Sequence, residues 1–368
     1  MSTLLRPVLT IGLALGLLPA ALEGATKPAP EAAAAGCPTC DIVYTQATNY
    51  TTGPQDLVLI KKDGTSKTTL LAGSRGVFHK APSWAPDGQW IGFSTNSTSG
   101  NTLRVIKSDG TGSKTLATRC TTSSGHLAWR PVPSSGGYWL VYYDARGAGG
   151  CLVTPPSGYT TVGTNLWAVH VSLGSPVLVG SPVCLTCALN PLSADIWWVT
   201  SWSRDGAHLS SLQQKRGGGS VTYSFQIFDV SFGTSGSEPP ALVSPGWSFS
   251  PMFDYPRTSA PVSWAHWSDS FVLSPEDATG KDTMVKYEIE LGSDPKSIRS
   301  ETLLTQQSPY KFLHPKWSPD DLQMVDFLVD NSPTKKNGIY VVTLGPPFSV
   351  KLIAPNSPKY VDSPDWKP

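Results

Sequence analysis

The side chains best suited to chemistry are three histidines. His126 and His314 each stand three residues before a tryptophan, in His126-Leu-Ala-Trp129 and His314-Pro-Lys-Trp317, and His79 stands five before Trp84 with the same parity. If those tryptophans are equivalent, three imidazoles approach one axis. Such a group could bind a metal, which could acidify a sugar proton or polarise a carboxylate. The plainer reading is a polar lining that hydrogen-bonds across a narrow space, and no metal or cofactor is expected. Nucleophilic catalysis finds no support, because the sequence has no Gly-x-Ser-x-Gly elbow and no glycine-rich loop leading from a strand into a helix. Asp87, Asp205, Asp269 and Asp320 recur in turn-like contexts and read as turn formers.

Six cysteines are the other reactive set. Cys37-Pro-Thr-Cys40 and Cys184-Leu-Thr-Cys187 have zinc-like spacing, but they lie far apart and neither is followed by the histidine that covalent haem attachment requires. The leader decides their chemistry. Arg6 gives a short positive region, Val8 to Leu22 is almost wholly apolar, and small residues surround Gly24 and Ala25, which is the layout of a signal peptide over residues 1–24. The apolar run is short for a membrane span and Pro19 interrupts it. Residues 25–40 read as an Ala/Pro-rich spacer. An exported chain, periplasmic or extracellular, meets an oxidising compartment, so disulfides are expected rather than thiolate metal sites.

Composition narrows the partners. Lys+Arg 28 against Asp+Glu 27 gives a net charge of +1, too little for a surface that neutralises nucleic-acid phosphates or docks on anionic membranes by charge. A hydrophobic share of 39% is too high for a disordered chain, and 34 glycines with 33 prolines demand many turns. No segment after the leader is apolar enough to cross a membrane.

The elements that must carry these side chains form a repeat. Tryptophan recurs six times in one context: Trp84-Ala-Pro-Asp-Gly88, Trp129, Trp202-Ser-Arg-Asp-Gly206, Trp267-Ser-Asp269, Trp317-Ser-Pro-Asp320 and Trp366. Apolar strands follow, as at Trp90–Ser94, Tyr138–Tyr143 and Met324–Val329. A further strand comes at Leu57–Ile60, Leu103–Ile106, Leu166–Val169, Phe225–Phe228, Val285–Ile289 and Ile339–Val342, and a short last one at such places as Thr69–Leu71 and Lys351–Ile353. Short Val/Ile/aromatic runs bounded by Asp-Gly, Pro and Ser are strands, and four strands repeated six times predict a β-propeller over residues 41–368. The chain reaches Trp366 with a first strand that lacks partners and starts at Asp41-Ile-Val-Tyr44 with a second strand that lacks a first. The expectation is a six-bladed ring of four-stranded antiparallel blades, closed by the C-terminal strand joining the N-terminal blade, which removes an exposed edge.

The Trp-Ser-Pro-Asp unit at Trp317–Asp320 and the Trp-Ala-Pro-Asp-Gly unit at Trp84–Gly88 resemble the TolB-type propeller family, as does the pairing of Lys61-Lys-Asp-Gly64 with Lys107-Ser-Asp-Gly110. The resemblance implies the fold over residues 41–368. It does not extend to the N-terminal α/β domain of TolB, for which no segment is available, so no role in envelope translocation is implied. Relatives of this type include binding scaffolds, accessory domains of serine peptidases and pectate-fragment lyases.

Strand order assigns connections to two faces. One face takes the long connections 144–164, 181–194, 215–221, 245–261 and 306–310, and the other takes tight turns. Loops over a rigid frame carry function, and this face also holds Phe78, Tyr159, Trp247, Phe249, Phe253, Tyr255, Tyr310 and Tyr360. The candidate ligand-binding residues are therefore His79, His126, His314, Trp247, Phe253, Tyr255 and Tyr310. The same assignment pairs Cys37 with Cys40, Cys120 with Cys151 and Cys184 with Cys187, the rival being Cys151 with Cys184. The reading is a monomeric, non-enzymatic scaffold for a protein or glycan. The alternatives are a carbohydrate-active lyase or hydrolase with a histidine-lined channel mouth, and a structural component of the cell envelope.

Overall fold

A computed structural model describes residues 37, 39–49, 53–121, 126–147, 150–151, 162–189, 195–217, 220–232, 240–249, 263–273, 284–289, 298–304, 310–330, 336–344, 349–356 and 359–368, all within one compact unit, Ala32–Pro368. The described residues are all-β, in propeller-like sheets, with no helix long and apolar enough to cross a membrane.

An eight-stranded sheet contains two antiparallel four-stranded groups. The first joins Tyr360–Trp366, Ile42–Ala47, Gln55–Ile60 and Thr68–Leu71. The second joins Val77–Trp84, Trp90–Ser97, Gly100–Lys107 and Lys114–Arg119, and a single parallel bridge, Gln55 to Phe78, links the two. A five-stranded sheet starts at Ala128–Trp129 and continues through Tyr138–Asp144 and Asn165–Ser172 to Leu178–Val179 and Val183–Cys184. Two four-stranded sheets follow, from Ile196–Trp202 to Ala241–Phe249 and from Ser263–Trp264 to Ile298–Leu304. In the last sheet, Tyr310–Phe312 and Lys316–Trp317 both pair with Gln323–Asp330, and Gly338–Thr343 and Ser349–Pro355 complete it.

Each group thus opens on a strand ending in tryptophan, and the turn after it is built by sequence. Asp87 Oδ1 accepts the amide of Gln89 at 2.9 Å, and Asp205 Oδ1 accepts that of Ala207 at 2.9 Å and the Ser203 hydroxyl at 2.6 Å. Gly88 and Gly206 supply the left-handed residue, with φ of 62° and 65°. In the Trp317 turn Asp321 takes that place at φ 54°, and its carboxylate accepts the amides of His266 and Trp267 at 2.8 and 2.7 Å. A side chain in a glycine position is here a tie to the preceding sheet.

One repeat position differs from expectation. Trp264, not Trp267, ends the first strand of its sheet: it is 4% exposed, whereas Trp267 is 72% exposed on the adjoining turn. The two lie three residues apart, and the Trp-Ser-Asp spelling after Trp267 mimics the motif.

Apolar faces of successive groups pack together. Val43 and Leu57 share a core with Trp84 and Phe93. Leu103 and Val105 meet Trp129 and Tyr142, and Val141 and Leu166 meet Trp202 and Leu209. The Phe225 ring packs at a tilt 5.1 Å from Phe271, which lies 5.4 Å from Trp264. Val272 and Met284 meet Trp317 and Met324. One further core unites Val325, Ile339 and Val341 with Ile42, Tyr44 and Trp366.

Hydrogen bonds reinforce five of the seams. The Trp129 indole N–H donates to Ser83 O at 3.2 Å, and that of Trp202 to Ala128 O at 3.1 Å. The Trp264 indole reaches Ser210 Oγ at 3.1 Å, and that hydroxyl donates to Ser201 O at 2.9 Å. The backbone N–H of Trp317 donates to Ser263 Oγ at 3.2 Å, and that of Trp84 to Asp365 Oδ2 at 2.7 Å. In every case the tryptophan of one group is tied to the residue before the tryptophan of the preceding group, or to its hydroxyl relay.

The disulfides join Cys37 to Cys40, Cys120 to Cys151 and Cys184 to Cys187. Beside the second, the buried Asp144 accepts the amides of Cys120 and Thr121 at 2.8 and 2.9 Å, so the start of that connection is fixed by a carboxylate as well as by a covalent link.

The corrected repeat position has a direct test. Trp264→Ala removes a buried ring and is expected to lower unfolding stability by about 3–5 kcal/mol. Trp267→Ala is expected to cost less than about 1 kcal/mol. Thermal or urea unfolding of the two variants reads the difference, and equal losses would contradict the assignment.

Candidate functional site

The first strands bring their polar side chains toward a common channel. Beside each tryptophan the preceding residue is Ser83, Ala128, Ser201, Ser263, Lys316 or Asp365, and all six line one cavity of about 140 Å³ together with the tryptophans. Nearer the connections that enter these strands lie His126, His314, Asp362 and Lys80.

His126 and His314 do meet: their ring centroids are 5.0 Å apart. His314 owes its position to a break in its strand. Pro315 cannot donate to the ladder, and beside this break the buried Asp326 carboxylate accepts the amides of Leu313 at 3.2 Å and His314 at 2.6 Å. His314 Nδ1 then lies 3.0 Å from Asp362 Oδ1, at ion-pair distance though not aligned as a hydrogen bond.

His79 does not join them. It is fully buried, its Nδ1 is 3.1 Å from Thr95 Oγ1, and its ring meets the edge of Phe93 at 5.6 Å. The reason is a β-bulge. Ala81 adopts φ 47° before Pro82, and the pairing register shifts between Lys80 and Ser83. The inserted residue inverts the alternation, so His79 turns to the core while Lys80 feels the charge of Asp362. The same device recurs where Ser363, at φ 50°, precedes Pro364 and the register shifts opposite Tyr44. It sets Asp362 beside His314. Parity counted back from tryptophan fails at both places.

The aromatic candidates are placed differently. Trp247 pairs with Ile227 within the outer strand Ala241–Phe249, and Tyr310 pairs with Asp330 at the start of an innermost strand, so the backbone at both is strand rather than loop. Phe253 and Tyr255 lie outside the described residues. Tyr360, at the start of the C-terminal strand, is exposed.

Burial dominates the electrostatics. It pushes the His126 conjugate acid well below the ordinary histidine range, and the nearby His314 and Lys316 add to the effect. Burial lowers Lys316, against the pull of Asp365, and raises Asp365, against Lys316 and the donors Trp84 N–H and Ser83. Burial would also raise Asp362, but His314 and the amide and hydroxyl of Ser363 outweigh it and hold that carboxyl below its usual range. The mouth therefore holds an imidazole that burial keeps neutral, a second imidazole beside the Asp362 carboxylate, and Lys80 from a fourth group. This set can accept and donate hydrogen bonds and pair with either sign of charge. Among the described residues no group of three or more His, Cys, Asp or Glu is placed to hold a metal ion. Lys80, Lys316, Asp362 and Asp365 were not among the sequence candidates; the shared offset of Lys316 and Asp365 from their tryptophans was the available signal.

No protein-family model matches this chain, and no curated protein matches it. Among solved structures it is similar to TolB from Acinetobacter baumannii, with TM-score 0.57 and 12% identity over 89% of this chain and 67% of that one. It is also similar to hydrazine synthase from Kuenenia stuttgartiensis, with TM-score 0.54 and 13% identity over 90% of this chain; it spans 47% of that protein. A putative TolB from Agrobacterium tumefaciens aligns over 90% of this chain and 99% of its own, with TM-score 0.48 and 11% identity. The fold is that of a TolB-type β-propeller.

The depressed basicity of His126 has a signed consequence. The folded state binds fewer protons than the unfolded chain between the lowered pKa and about 6.5, so stability is full above that value and declines as pH falls below it. His126→Gln is expected to remove this part of the acid destabilisation, and the His126 ring proton is expected to show no titration step near pH 6.5 by NMR. A normal step there would contradict the burial argument.

Proposed function

We propose that this chain is an exported β-propeller of six blades, closed by the pairing of Tyr360–Trp366 with Ile42–Ala47, that binds a protein or glycan through the channel mouth and the long connections around it. The observation that carries the reading is the convergence of Lys80 and Asp362, on two first strands, with His126 and His314, just before two others. Polar groups held on rigid strands at a concave opening are what specific recognition needs. Six seams support the count: five carry the hydrogen bonds described above, and in the sixth Lys316 and Asp365 face each other across the Trp317 and Trp366 strands within the core of Val325, Ile42 and Trp366. Export is supported by three disulfides that leave no free cysteine and by the reading of residues 1–24 as a signal peptide and 25–40 as a spacer.

A second reading, a carbohydrate-active lyase or hydrolase, draws on one feature. His126, held neutral by burial beside His314, itself beside the Asp362 carboxylate, is the kind of pair that acid–base catalysis uses. It rests on two histidines, since His79 is turned into the core.

The test uses a glycan array and affinity capture from the native envelope, each run with the wild-type chain and with His126→Ala/His314→Ala. Binding of a defined ligand, weakened about tenfold or more in the double variant (about 1.4 kcal/mol), is the expected result. A ligand held equally well by both would remove the channel mouth from the account. Turnover of a bound glycan, lost in the double variant, would replace the scaffold reading with the enzyme.

A further inference from the structure

The turns that follow the first strands lie at the far end of those strands from the channel mouth, and one of them carries an aromatic ring that the fold does not use. Trp264 fills the repeat position of its sheet, yet Trp267, three residues later, is 72% exposed. Its polar groups are all committed to the protein. The backbone N–H donates to Asp321 Oδ2 at 2.7 Å, the carbonyl accepts Arg204 Nη1 at 2.9 Å, and the indole N–H donates to Pro319 O at 2.7 Å. The amide of His266 donates to Asp321 Oδ1 at 2.8 Å, and Arg204 pairs with Asp269 at 3.6 Å. The turn is thus fastened to the sheet before it and to the sheet after it. Leu322, next to Asp321 on the anchoring turn, is 63% exposed and widens the apolar surface. The nitrogen edge of the indole is held down while its carbon surface meets solvent. A ligand must therefore approach it with C–H groups rather than with a hydrogen-bond acceptor.

We propose that Trp267 is the platform of a second binding site, for a neutral oligosaccharide, with one sugar ring stacked on the indole and its neighbour in the adjoining cleft. Pro319, which anchors the indole, lines that cleft of about 280 Å³ together with Asp41, Lys62, Asp320, Gln323 and Lys367. Two carboxylates and two ammonium groups cancel, so the cleft favours neither an anion nor a cation. The same groups supply acceptors and donors for hydroxyls, which a sugar presents along its rim. The acceptors are set in advance: Asp41 Oδ2 takes the Lys62 amide at 3.0 Å, and Asp320 Oδ1 takes the Leu322 amide at 3.1 Å. A gluco-configured ring, with its hydroxyls equatorial, offers flat C–H faces and a polar edge, the complement of an indole beside a polar cleft. In these two turns Trp267 and Leu322 are the only large exposed apolar side chains among the described residues, which is short of the apolar centre that a protein interface needs.

Calorimetric titration of cellotetraose into the full chain tests this, with tryptophan fluorescence as a second readout. Saturable binding is expected, weakened at least about tenfold in Trp267→Ala and several-fold in Lys62→Ala. Trp267→Phe, which keeps an aromatic face, is expected to retain most of it. Absence of saturable cellotetraose binding overturns the proposal, as does equal affinity in the wild-type chain and Trp267→Ala. Decaproline bound at Trp267 more tightly than the sugar also overturns it, in favour of a peptide ligand. Should Trp267→Ala fail to fold, Lys62→Ala decides: undiminished binding overturns the site and weakened binding supports it. The result is separable from the channel-mouth reading. Cellotetraose binding is expected to persist in His126→Ala/His314→Ala; binding lost there and kept in Trp267→Ala would place the sugar at the mouth and overturn this site alone.

Discussion

The constraint on which everything else depends is the junction at the inner ends of the sheets, where at five of the seams a tryptophan of one group is bonded to the residue before the tryptophan of its predecessor, directly or through a hydroxyl. Antiparallel sheets can be packed face to face by apolar contact alone, but such contact is non-directional and fixes neither slide nor rotation. The indole and amide bonds at Ser83, Ala128, Ser201 by way of Ser210, Ser263 and Asp365 supply direction. They use backbone carbonyls and short hydroxyls, so the distances between neighbouring first strands have little freedom. The geometry of the channel follows from that.

The same junction explains why the channel is polar. The residue before each tryptophan alternates away from the core and toward the axis, so the junction that fastens the sheets also decides what the axis presents. Where this residue is serine, the hydroxyl is available for the seam and for the lumen. Where it is Lys316 or Asp365, charge is brought into the channel, and both groups are shifted by burial toward their neutral forms. A propeller can tolerate such groups because its sheets, rather than its axis, supply the apolar burial that stabilises it.

Much of this was legible in the sequence. The recurrent tryptophan, the Asp-Gly turns and the alternating strands are local signals, and the strand classes appear where the spelling placed them except at Trp267. The cysteine pairs were also legible, because two of them close over two residues and the third joins connections assigned to the same face. What was not legible depended on departures from regular alternation. Ala81 and Ser363 adopt left-handed backbone before a proline, a bulge that no residue type announces, and it exchanges His79 for Lys80 at the channel and brings Asp362 to His314. Trp264 and Trp267 compete for one motif, and only burial separates them. Lys316 was marked only by the offset from its tryptophan that it shares with Asp365, and a lone lysine in a polar sequence context looks solvated until the strands around it are assembled.

The central claim is that the strand Tyr360–Trp366 completes the group begun by Ile42–Ala47 and thereby joins the last sheet to the first. Its most direct measurement is the unfolding of the chain lacking residues 360–368, against the intact chain with residues 360–368 supplied as a peptide to the shortened one. The account predicts a large loss of thermal stability, exposure of the Ile42–Ala47 edge to hydrogen exchange, and partial recovery of both on adding the peptide. Unchanged unfolding and unchanged protection of Ile42–Ala47 would contradict it.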